Sequence, residues 1–222
     1  MRKLLALSVA LAVAACGDDD DENGPALTGR LNGQAFDPTE MVFSGPRTSN
    51  DCSFELGGGT AIDFANSAVI LGFAAQPGLC ALATDPCTGR KNFPFVWGLV
   101  ATAVLLGEAQ PVATGPYTVY ADITSVPFDP LNPTAPLRAA VFQGERTDAT
   151  CLPVADPPVA SGTIRIDAVG ATEVRGEIDV TFADGQGGFL RGPFTAAPCA
   201  GAEFDVCLPE PPACTTGAPT CS

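Results

Sequence analysis

Between residues 163 and 194 the chain alternates apolar and polar side chains with a period of two. Over Val174–Phe182, the residues Val174, Gly176, Ile178, Val180 and Phe182 share one face, while Arg175, Glu177, Asp179 and Thr181 take the other. That pattern predicts an antiparallel strand buried on one side. Residues 163–168 and 189–194 repeat it across short turns, so the segment reads as a three-stranded meander. A register that buries apolar residues and joins opposite charges sets Ile164 against Ile178, Ala168 against Val174, Arg165 against Glu177 and Asp167 against Arg175. In the next hairpin the same logic sets Phe182 against Leu190 and Ile178 against Phe194, with Asp184-Gly185 entering the turn. The Gly-rich turn lacks the lysine and following helix of a phosphate-binding loop.

Towards the N-terminus the apolar runs are short and punctuated. Asn32-Gly33 between residues 27–31 and 34–36 predicts a type I′ hairpin, because both turn positions need positive φ. Residues 40–44, 52–56, 61–75, 95–106, 117–121 and 138–143 read as further strands, the last reached through a Pro-rich connection. Residues 96–106 are apolar on both faces, which predicts a central strand covered on both sides, with a buried helix as the alternative and Trp97 in the core. With Gly 24 and Pro 21, the composition favours strands over long helices. The expected fold is therefore all-β, an antiparallel sandwich or barrel-like domain over residues 26–198, followed by a Cys/Pro-rich tail at 199–222.

Before this domain the pattern is different. Met1-Arg2-Lys3 and the apolar stretch 4–15 have the form of a secretory signal, residues 1–15, shorter than the roughly 20 residues of a membrane span. The stretch ends Val13-Ala14-Ala15-Cys16, which resembles the lipobox of bacterial lipoproteins. The resemblance implies cleavage before Cys16 and lipid on that cysteine, which would be the chain's contact with a membrane. Residues 16–25 would then be a lipidated tether, acidic and solvated through Asp18-Asp19-Asp20-Asp21-Glu22. Gly17 directly after the cysteine favours the outer membrane within the cell envelope. Asp19 to Gly24 spells the first half of an EF-hand loop, but the twelfth position is Arg30, a cation where calcium needs a carboxylate.

There are nine cysteines, and lipid on Cys16 leaves an even eight: Cys52, Cys80, Cys87, Cys151, Cys199, Cys207, Cys214 and Cys221. In an oxidising compartment these would form up to four disulfides. The tail is poor in bulky apolar residues, so disulfides rather than burial should order it, and proximity favours local closure of Cys214 with Cys221. Spacings of seven or eight between its cysteines argue against a metal-thiolate cluster. The preceding Gly192-Pro193-Phe194-Thr195-Ala196-Ala197-Pro198-Cys199 resembles the closing strands of bacterial lipoproteins of unknown function, which implies a β-sandwich or barrel and no particular activity.

Charge and missing residue types narrow the chemistry. Loss of Arg2 and Lys3 with the signal would reduce eleven basic residues to nine against 25 acidic ones, a net charge of −16. Nucleic acid would be repelled. Histidine is absent, so no imidazole base or imidazole-bound metal is available, and Lys91 is the one lysine after Cys16. No metal site, cofactor or catalytic residue is expected, and an enzyme is the less favoured reading. The expected function is a membrane-anchored envelope protein with a binding or structural role towards a protein or glycan partner. One alternative is a glycan hydrolase using two carboxylates across a cleft; another is a lipocalin-like carrier of an apolar ligand.

Overall fold

The computed structural model describes residues 26–56, 60–85, 87–129, 131–151, 160–207 and 220–221. Its elements are β1 (Thr28–Leu31), β2 (Gln34–Phe36), β3 (Glu40–Leu56), β4 (Thr60–Ala74), α1 (Leu79–Thr84), β5 (Thr88–Gly89) and β6 (Pro94–Val104). Then come β7 (Gly115–Tyr120), β8 (Leu137–Arg146), β9 (Ala160–Val169), β10 (Val174–Phe182), β11 (Gly188–Pro198) and β12 (Thr220–Cys221). The helix and the small β5–β12 sheet have no counterpart in the hydrophobic pattern.

The expected meander is β9–β10–β11, and its middle strand alternates buried and exposed along its whole length. Ile164 faces Ile178 and Arg165 faces Glu177, as the charge pattern predicts. Beyond them a bulge between Arg175 and Gly176 shifts the register, so Val174 faces Val169 and Arg175 faces Ala168. Arg175 pairs with Glu173 instead of Asp167, at 2.9 Å.

The second hairpin is displaced by two residues from the expected register. Phe182 faces Gly188, Val180 faces Leu190, Ile178 faces Gly192 and Gly176 faces Phe194. The expected pairing set Phe182 against Leu190 and Ile178 against Phe194. The observed one sets Phe182, Ile178 and Phe194 each against a glycine and keeps every residue on its expected face. A Cβ at Gly176 would lie 2.9 Å from the Phe194 ring and 2.1 Å from the Arg165 carbonyl oxygen.

Pairing continues around a closed ring of eight strands, β10–β9–β7–β8–β6–β4–β3–β11 and back to β10, with β1 and β2 added beside β11. The domain is thus a barrel, and a mixed one: β7 with β8 and β3 with β11 are parallel, where an all-antiparallel sheet was expected. The parallel β7–β8 contact requires a crossover, of which residues 121–129 and 131–136 are described. The Asn32-Gly33 turn has φ of 51° and 75°, as the type I′ reading requires. Residues 40–44 and 52–56 belong to one strand, β3, because bulges after Ser44 and Ser49 absorb Gly45-Pro46 and Asn50-Asp51.

Inside the barrel, Phe73, Tyr117, Phe142, Ile164, Ile178 and Phe194 belong to one buried cluster. Towards one end Tyr117 anchors the preceding loop, its hydroxyl donating to the Ala113 carbonyl at 2.8 Å and accepting from the Ala113 N–H at 2.9 Å. Among the described residues no helix is long and apolar enough to cross a membrane.

Candidate functional site

Strand β6 is buried on both faces, as its apolar run predicts, except that Trp97, expected in the core, is half-buried and donates its indole N–H to Glu145 at 2.9 Å. Val96 and Val100 point into the barrel, whereas Leu99, Ala101 and Ala103 point out and belong to a second cluster with Phe64 and Ala68 of β4. An outward apolar wall needs a cover, and two segments provide it.

The first cover is residues 199–207, the opening of the supposed tail. Cys199 is bonded to Cys80 and Cys207 to Cys52, pairs separated by 119 and 155 residues, so this strap is stapled to α1 at one end and to β3 of the barrel at the other. The bulges of β3 turn Arg47 and Cys52 outward to meet it. Ser44 Oγ donates to the Ala202 carbonyl at 2.6 Å, and the Arg47 guanidinium lies 5.2 Å from the centre of the Phe204 ring. Ala202, Phe204 and Val206 are buried, so this part of the tail is ordered by burial as well as by disulfides. The second cover is the crossover, from which Val126 is buried and Phe128 packs 6.0 Å from Phe64.

Where the crossover meets the wall of β4, β6 and β8, a crevice of about 30 Å³ remains. Phe64, Leu99, Phe128, Leu137 and Val141 give it apolar sides, and Asn66 supplies an amide. Asn66 is only 2% exposed. Its Nδ2 donates to the Val206 carbonyl at 2.8 Å, which holds the side chain against the strap, while its Oδ1 accepts no hydrogen bond. A buried acceptor without a donor is costly, by roughly 1 to 3 kcal/mol. The sequence signal for Asn66 is the one amide in the mostly apolar run 61–75, which also holds Asp63 and Ser67, and the pattern alone did not single it out.

Of the cysteines expected at sites, Cys52, Cys80, Cys199 and Cys207 form the two staples, and Cys87 and Cys151 are also disulfide-bonded. Lipid attachment at Cys16 and closure of Cys214 with Cys221 lie outside the side chains the structure describes.

The carboxylates that carry definite interactions do so elsewhere. On the outer face of the meander, Arg165 binds both Asp167 and Glu177, and Arg191 lies 2.9 Å from Asp179. Hydrogen bonds and the nearby carboxylates raise the Arg165 pKa, Glu177 contributing most. Glu40 receives the N–H groups of Gly78 and Leu79 at the start of α1. Asp122 is held below the usual carboxylate range by the hydroxyls of Thr124 and Ser125. None of these groups borders the crevice, whose described lining carries no titratable side chain. The crevice can bury a small apolar group; its described lining has no means of moving a proton. Among the described residues no group of histidine, cysteine or carboxylate side chains could hold a metal ion. The chain matches no family model, no curated protein and no solved structure.

Proposed function

We propose that this chain is an exported envelope protein, anchored by lipid on Cys16, whose disulfide-bonded barrel binds a partner rather than transforming a substrate. The observation that carries the proposal is the oxidation of the folded domain's cysteines. All six whose side chains are described are in disulfides, chemistry that belongs to an oxidising compartment. The lipobox-like Val13-Ala14-Ala15-Cys16 and the acidic stretch behind it supply the means of retention there. Two acyl chains or more give stable anchoring, where one is marginal. Gly17 favours delivery to the outer membrane.

The binding role draws support from the crevice, whose described lining is apolar apart from Asn66 and holds no acid, base or nucleophile. Filling of the barrel interior by aromatic and branched side chains weighs against carriage of a ligand along its axis. The partner class is a protein or glycan of the envelope.

Expression of the full chain in a bacterium supplied with a labelled fatty acid tests the anchor. Wild type should take up label and enter the detergent phase, and Cys16→Ser should do neither. Equal detergent partition of the two would overturn the proposal.

A further inference from the structure

We infer that the outer face of β3 and β4 is a binding groove for an extended segment of a partner protein, which residues 199–207 occupy as a built-in substitute until the Cys52–Cys207 disulfide is opened. The inference rests on the binding role proposed above; it names the partner as a peptide and the disulfide as its gate.

The strap is held in the way an extended peptide is held. Ala202, Phe204 and Val206 are buried while Glu203 and Asp205 are exposed, the period of two of an extended chain. On the same alternate residues the main-chain carbonyls are received by side chains of the wall. Ser44 Oγ and the Arg47 guanidinium donate to Ala202 at 2.6 and 3.3 Å, the guanidinium donates again to Phe204 at 3.4 Å, and Asn66 donates to Val206 at 2.8 Å. Carbonyls are common to every sequence, so these donors fix the path of a chain without choosing its residues. The choice lies with the apolar seats between them. Phe204 and Val206 share one buried cluster with Ala68 of β4 and with Leu99 and Ala101 of β6, and the Phe204 ring would lie 3.4 Å from a Cβ placed on Gly45. A segment with apolar residues at alternate positions, the middle one aromatic, fits the same seats.

The attachments decide how the groove opens. Cys52 is 1% exposed and Cys207 is half-buried, so a dithiol reductant meets Cys207 first. Its thiolate attacks Cys207 Sγ, the bond to Cys52 breaks, and Cys52 leaves as a thiolate that takes up a proton. The second thiol of the reductant then resolves the mixed disulfide, which leaves Cys207 as a thiol and the reductant as a disulfide. With that staple gone, the strap keeps its Cys199 end, bonded to Cys80 of α1, and the chain beyond it keeps the β12 pairing with β5. Both attachments are on α1 and β5, so the strap can lift from β3 and β4 without unpairing a strand of the barrel.

The test uses the full chain in lipid nanodiscs and a fluorescent synthetic peptide with the sequence of residues 199–207, serine replacing both cysteines, followed by anisotropy. Wild type should show no saturable binding. Cys52→Ala/Cys207→Ala should bind the peptide. The same variant carrying Phe204→Asp should bind it at least about 10-fold more tightly, because its own strap no longer competes at the high effective concentration of a tethered segment. Wild type treated with dithiothreitol should gain the binding of the double variant, a readout that survives if a variant fails to fold. A peptide of the same composition in scrambled order should bind none of these forms. Saturable binding to untreated wild type, equal binding of the scrambled peptide, no gain from Phe204→Asp, or no binding by any opened form would overturn the groove. The Cys16→Ser experiment reads anchoring alone, so a failed anchor and a failed groove give different results.

Discussion

The two halves of the barrel wall solve the same problem in opposite ways. In the β9–β10–β11 half, side chains alternate strictly, apolar inward and charged outward, and the outer face meets solvent through ion pairs whose partners are 43–61% exposed. In the β4–β6–β8 half the wall is apolar on both sides, and the outer side is closed by the stapled strap and the crossover. A period-two pattern needs nothing beyond the sheet itself. An apolar run obliges the chain to supply a cover, and here the cover comes from the segment that looked least able to pack. The crevice lies where the crossover meets this wall, a seam that the open half does not have.

The contrast can be broken most severely from inside. Ile178 is fully buried in the middle strand of the open half, and Ile178→Asp should abolish folding, seen as loss of a cooperative thermal transition. Leu99, on the outer face of the covered half, is 2% exposed, and Leu99→Asp should be nearly as damaging. A well-folded Leu99→Asp protein would mean that the strap does not cover that face.

Replacing Cys52 and Cys207 together by alanine should destabilise the protein by about 2 to 4 kcal/mol, measured by denaturant unfolding. The covered half should lose most of the amide protection in hydrogen exchange, and the meander should keep its own.

A smaller effect is expected at Asp184, where the β10–β11 turn meets the β1–β2 hairpin. Burial pushes its carboxyl up, but backbone N–H groups of Gly188, Gln186 and Asn32 outweigh that and hold it below the ordinary 3.8. A carboxylate depressed in the folded state contributes stability that is fully present above the ordinary value and lost as pH falls through the folded one. Asp184→Ala should therefore lower stability by about 1 to 2 kcal/mol at neutral pH. The deficit should shrink on acidification below 3.8, with wild type losing the difference.

The smallest change should come from Glu177→Gln, which removes one exposed ion pair with Arg165. It should shift stability by no more than about 0.5 kcal/mol, because surface pairs are weak and screened. A larger loss would mean that the charged face contributes to closing the barrel.

Ile178 and Glu177 were legible in the sequence because a half-buried strand writes both faces into alternate positions. The β9–β10 register was legible up to the bulge at Arg175, and the faces of β11 were correct even where its register was not. Pairing preference among side chains does not include the volume of a barrel interior, which is what places Phe194 over Gly176. The strap was not legible: Phe204 and Val206 are too few to mark a buried segment until the wall beneath them is known. Asn66 was hidden for the same reason, since an amide among apolar residues acquires meaning only when its partner, the Val206 carbonyl, is placed. The long-range staples lay among 105 pairings that eight cysteines permit, and local closure was the simplest of them.

The claim on which the contrast depends is that residues 199–207 are fastened across the barrel rather than to themselves. Non-reducing peptide mapping of the protein isolated from the cell envelope tests it directly. Peptides cross-linked through Cys52 with Cys207 and Cys80 with Cys199 are the predicted result. A peptide joining Cys199 to Cys207, or free thiols at these four positions, would contradict it.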